Sequence, residues 1–128
     1  MPLVFKKRIP RYSKPLRQMA QFLDTKYPVR VKINVYTYDL PTITDEILSE
    51  YDHDGAVTEY EDYFGIYIPE FGDILLAVGG IDSTLAQAIL AHEYRHVLQH
   101  LDGKPFKETI ADSFSIHCLL TLQTQEGL

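Results

Sequence analysis

Ala91-His92-Glu93-Tyr94-Arg95-His96-Val97-Leu98-Gln99-His100 is the stretch on which the reading of this chain turns. It contains the pattern His-Glu-x-x-His. On a helix, side chains four residues apart share a face, so His92 and His96 can hold one metal ion between them. Glu93 follows the first histidine directly, where a carboxylate can reach a metal-bound water and act as general base. Five residues are a short pattern, and both histidines could instead be satisfied core side chains. The flanking sequence has to decide.

Upstream, Asp82-Ser83-Thr84 opens the helix, and Thr84 with Gln87 three residues on forms a capping-box pattern. Leu85, Ala88, Ile89, His92 and His96 share or adjoin one face, so the histidines continue an inward stripe that can hold them rigidly. Downstream, Asp102-Gly103 ends the helix with a glycine where a left-handed cap is wanted. A last helix is expected from Lys104-Pro105 to about Gln123. A catalytic zinc needs at least one further protein ligand and an open position for water. The one cysteine, Cys118, sits in an apolar helical run and reads as a small buried hydrophobe, which leaves a histidine or a carboxylate. Glu108 lies in the first turn of the last helix, and a helical hairpin can return it toward His96. Asp112, one turn further along the same face, can accept the free ring N–H of a ligating histidine, or be a plain surface acid. His100 continues the histidine face, but three histidines at this spacing cannot all bind one ion, so packing or ligand support is expected. His117 reads as a surface or core residue.

The preceding residues supply a small sheet. Residues 13–24 carry Ser13 as a cap, Pro15 in the first turn and an apolar stripe of Leu16, Met19, Ala20 and Leu23, which predicts a helix. Val29-Arg30-Val31-Lys32-Ile33-Asn34-Val35 alternates apolar and polar, as a strand with one wet face does. Thr44-Asp45-Glu46-Ile47-Leu48 can start a short helix, and Asp52-His53-Asp54-Gly55 is a turn. Strands are expected over 56–68 and 73–78, joined by a turn at Pro69-Glu70-Phe71-Gly72-Asp73. The expected fold is α+β: an N-terminal helix, a twisted sheet of three or slightly more strands, mostly antiparallel, and the histidine helix packed on the glutamate helix.

This arrangement is similar to the gluzincins, zinc peptidases with two histidines and one glutamate as ligands. It resembles most closely the ImmA/IrrE family, in which a strand hairpin precedes A-H-E-x-x-H-x-x-x-H and then E-x-x-A-N-x-F-A-x-x-L-L. Here Ala91 through His100 carry the first pattern, and Glu108, Ala111, Phe114 and Leu119-Leu120 carry the second, with a one-residue offset at the leucines. Asp112 stands for the family's asparagine and Ser115 for its alanine, no Met-Pro follows, and no helix-turn-helix domain is present. The resemblance spans roughly residues 60–120. It implies one zinc ion on His92, His96 and Glu108, with Asp112 holding His92, and Glu93 as the base of a zinc endopeptidase acting on a protein or peptide such as a transcriptional repressor. It also implies that the strand at 74–78 is a sheet edge on which an extended peptide pairs. For the oxyanion-stabilising donor, Tyr36, Tyr38, Tyr51, His53 and Tyr63 are all candidates and none stands out.

Length and composition fit one domain over 1–128 with a modest core. The net charge of −6 conceals an asymmetry, because residues 1–17 hold six of the twelve basic side chains and no acid. Residues 1–12 thus read as a basic arm, solvated or packed on the domain, or able to meet nucleic acid in an accessory role through Lys6, Lys7 and Arg8. A zinc-containing module that binds a protein without cutting it is a further alternative, although Glu93 would then have no task. A free cytoplasmic protease needs restraint, so a terminal segment, 1–12 or a C-terminal tail at 121–128, is expected in or near the cleft. A single cysteine, no secretory leader and no run of about 18 apolar residues point to a cytoplasmic protein without membrane spans.

Overall fold

The computed structural model describes residues 3–51 and 64–126. In chain order the elements are β1 (Leu3–Lys7), α1 (Pro10–Lys26), β2 (Ile33–Tyr38), α2 (Asp45–Leu48), β3 (Gly65–Ile68), β4 (Asp73–Ala77), α3 (Ser83–Leu101) and α4 (Glu108–Glu126), with a 3₁₀ turn over Ser49–Tyr51. The α+β class holds, but the sheet is mixed rather than mostly antiparallel. Its order is β1-β2-β4-β3, with β1 and β4 parallel to β2, and only β3 running antiparallel to β4.

Three expectations are settled along the chain. Of the readings of the basic arm, packing on the domain holds: residues 3–7 form the edge strand β1, with Leu3 in the core at 2% exposure, while Lys6 and Lys7 point to solvent. The helix after it begins at Pro10, earlier than residue 13, so Pro15 lies inside it. The strand at 74–78 is not an edge either. Every residue of β4 is buried, because helices cover one face and the segment carrying Ile43 and Leu48 covers the other. A continuous apolar run is what a strand covered on both faces requires. Among the described residues the edge strands are β1 and β3.

The alternation in β2 starts at Ile33 rather than Val29 and continues through Thr37, with Ile33, Val35 and Thr37 buried. Val31 stays 43% exposed outside the strand. Odd positions of β2 and even positions of β4 enter the main core with α1, α3 and α4, and the opposite set enters the smaller cluster around Leu75. Helix α1 buries Tyr12, Leu16, Met19, Ala20 and Leu23, a helical spacing, against α3. Two phenols and an amide lock that contact: Tyr12 donates to Ile81 O at 2.6 Å, Tyr94 to Tyr27 O at 2.6 Å, and Gln87 Nε2 to Pro15 O at 2.8 Å. Helix α2 is capped by Thr44, whose hydroxyl accepts from Ile47 N–H.

Cys118 is fully buried, and burial pushes its thiol up to about 11. Helix α4 runs through the segment 121–126 that was expected to be a tail. The turn at 52–55 and residues 56–63 of the expected long strand lie outside the described residues. Among the described residues, no helix is long and apolar enough to cross a membrane.

Candidate metal centre

Helix α3 presents the two histidines. Its N-cap is Asp82, whose carboxylate accepts from Leu85 N–H at 2.8 Å, in place of the Thr84 box. Its interior face buries Leu90, Ala91, Tyr94 and Val97 completely, which fixes the rotation of the helix and thereby the direction of the site residues. At the other end Gly103 adopts φ +70°, and its N–H and that of Lys104 close on His100 O and Gln99 O. That left-handed cap reverses the chain and sends α4 back along α3.

The reversal brings Glu108 to both histidines. His92 Nε2 lies 2.7 Å from Glu108 Oε2, and His96 Nε2 lies 2.9 Å from Oε1. The remaining ring nitrogens are committed elsewhere: His92 Nδ1 to Asp112 Oδ1 at 2.8 Å, and His96 Nδ1 to Gln99 Oε1 at 2.8 Å. Both partners accept at Nδ1, which leaves each Nε2 turned inward to Glu108. Two imidazole nitrogens and a carboxylate thus meet at one spot, where either shared protons or a cation can sit between them. The donor set, two imidazoles and a carboxylate with the imidazoles oriented from behind, fits zinc. Glu93 also comes near, its carboxylate 3.9 Å from His92 Nε2, and its ligand atom groups with those of the histidines within 4.8 Å. Glu108 is closer to both rings, and Glu93 is left beside the cluster.

Glu93 is 6% exposed. Burial, reinforced by the negative charge of Glu108, pushes its carboxyl up to about 8, against the pull of a backbone hydrogen bond from Tyr67. The walls of a cleft of about 630 Å³ come from β3 and α3, including Phe64, Gly65, Tyr67, Leu85 and Ile89, and from Phe106 and Glu108 on the far side. Phe64 O accepts from Ala77 N–H, so residues 64, 66 and 68 bond to β4 while Gly65 and Tyr67 turn their backbone groups away from it. Tyr67 N–H goes to Glu93.

Two residues of the site were not anticipated. Gln99 stands three residues after His96, a spacing that puts it on the same face, and Tyr67 is aromatic on an edge strand. Tyr67 Oη pairs with His100 Nδ1 at 2.9 Å, which gives His100 a packing role behind the cluster. Of the oxyanion candidates, Tyr36, Tyr38 and Tyr51 pack on the opposite face of the sheet, and Tyr51 donates to Asp73 there. His53 and Tyr63 lie outside the described residues. His117 is exposed on α4. Neither terminal segment reaches the cleft among the described residues: β1 is the sheet edge opposite β3, and Lys7 and Arg11 engage Tyr38 and Asp39. No protein-family model, curated protein or solved structure matches the chain.

Proposed function

We propose that this chain is a zinc-dependent endopeptidase of the gluzincin type, akin to the ImmA/IrrE family, acting on a narrow protein or peptide target. The observation that carries this reading is the convergence of His92, His96 and Glu108 on one point, each histidine oriented from behind, next to a buried and separate Glu93. His92, His96 and Glu108 would hold the ion. Bound there, zinc supplies a Lewis acid that makes a water nucleophilic near neutral pH. Glu93 accepts a proton from water in the cleft and returns it to the departing amine. The outer edge of β3 would hold an extended substrate by strand addition, through the backbone groups of Gly65 and the C=O of Tyr67, which face away from β4.

A module that only binds its partner would have no use for a buried carboxyl beside the ion, since burying a carboxyl costs stability. The test is metal analysis with a peptidase assay on three proteins. The full chain is expected to bind one zinc. Glu93→Gln should keep the metal and lose hydrolysis by at least about a hundredfold. Glu108→Ala should weaken zinc strongly, and unchanged affinity in that variant would sink the assignment.

A further inference from the structure

Gln99 is 4% exposed in the last turn of α3, where a buried amide needs partners within the protein. Both ends of its side chain have partners. Lys107 N–H donates to Oε1 at 3.4 Å and Nε2 donates to Lys107 O at 3.5 Å, while Oε1 also accepts from His96 Nδ1–H at 2.8 Å. The backbone of Lys107 settles which way the amide faces, because an N–H can meet only the oxygen and a C=O only the nitrogen. The oxygen is therefore on the histidine side, and His96 must carry its proton on Nδ1. Gln99 also accepts from Lys104 N–H through its own C=O at 2.9 Å. The whole connection from 104 to 107 is gathered onto this one residue, and Glu108 is the next residue along. Phe106, in the same connection, stacks on the His96 ring at 4.8 Å and 26°.

We infer that Gln99 is a positioning residue that couples two halves of the metal centre: one side chain sets the tautomer of His96 and fixes the point from which Glu108 enters. This rests on the metal reading for its consequence, although the tautomer it sets does not. Loss of the clamp frees His96 to place its proton on Nε2, toward Glu108, and loosens the start of α4. A ligand nitrogen would be blocked and a ligand carboxylate displaced by the same change.

The experiment compares Gln99→Leu with Gln87→Leu. Gln87 is a matched control, since it is also buried on α3 and also donates to a backbone carbonyl, that of Pro15, but touches no site residue. Zinc affinity is measured by competition with a chromophoric chelator, folding by circular dichroism, and the His96 tautomer by nitrogen-15 NMR on chelator-treated protein at about pH 8.5, above the ordinary histidine range. Gln99→Leu should weaken zinc by about ten- to a hundredfold while staying folded, and Gln87→Leu should shift it by less than about twofold. The full chain should show His96 protonated on Nδ1, and Gln99→Leu should move that proton to Nε2. Equal zinc losses in the two variants would reduce Gln99 to a structural role and overturn the inference. A bare Nδ1 in the unaltered protein would overturn it as well. Failure of the full chain to bind zinc would fell the metal reading, and the tautomer measurement would still decide the clamp.

Discussion

Glu93 is a carboxyl group that the fold keeps from water, and its cost shows in the metal-free protein. Its value in the folded chain, about 8, lies above the 4.5 of an ordinary glutamate, with burial as the main cause and Glu108 as the next. A raised acid binds its proton more tightly when folded, so its contribution to stability is complete below about 4.5. As pH climbs from about 4.5 to about 8 the unfolded chain ionises first and the folded state loses ground; above about 8 the loss is complete. In chelator, the unaltered protein should therefore melt at a temperature that falls across this window by on the order of several degrees. Glu93→Gln has no proton to hold and should show a shallower fall. Because His92, His96 and Asp112 are common to both proteins, the difference between the two slopes isolates Glu93, and parallel slopes would contradict its buried, protonated state.

At the scale of elements, the cleft depends on how closely β3 lies against α3. Gly65 sets that distance: a Cβ there would stand 2.6 Å from Ile89 Cγ2 and 3.1 Å from Glu93 Cγ. The first atom is a branch on a helix side chain with little room to swing, so strand and helix must separate. Gly65→Ala should cost about 1–3 kcal/mol and reduce kcat/KM beyond what the lost folded fraction explains, since Glu93 moves with α3. Adding Ile89→Ala removes the clashing methyl and should bring kcat/KM back toward that of Ile89→Ala alone. Strictly additive losses, measured with circular dichroism on all three variants, would show that the contact is not the cause. Sequence reasoning reached α3 and α4 because periodicity, caps and the Gly103 reversal are local signals. The approach of Glu108 to His96 follows from that hairpin. Gln99 was readable in principle from its spacing to His96, but an amide at a helix end has many bland uses. The partner of each strand was not readable: Ile74-Leu75-Leu76-Ala77-Val78 carries the mark of burial on both faces, yet resemblance drew it to the edge. Gly65, with φ in the ordinary range, gives no turn signal, and its need for space exists only in three dimensions.

Over the whole molecule, the order β1-β2-β4-β3 separates the chain's first strand from its chemistry by the width of the sheet. Parallel pairing of β1 with β2 is a long-range consequence of α1 crossing over the sheet, and Leu3-Val4-Phe5 is too short and too soon followed by lysines to announce it. The same order argues against the first residues as a brake on the cleft, because the cleft is lined by β3 on the far edge and by α3. Their work is structural. Leu3 fills the core, and β1 covers the hydrogen-bonding edge of β2, which would otherwise be open to another chain. Removing residues 1–9 should therefore cost stability on the order of a few kcal/mol, since one buried leucine alone contributes about 1.5–3. It should also promote association in a concentration-dependent way, visible by light scattering. Per folded molecule, at low concentration and temperature, peptidase activity should stay within about twofold of the full chain, because nothing that touches Glu93 or the ligands has changed. A rise well beyond that, with the melting temperature unaltered, would return the N-terminal segment to the role of an inhibitory arm and refute the placement of β1 in the sheet.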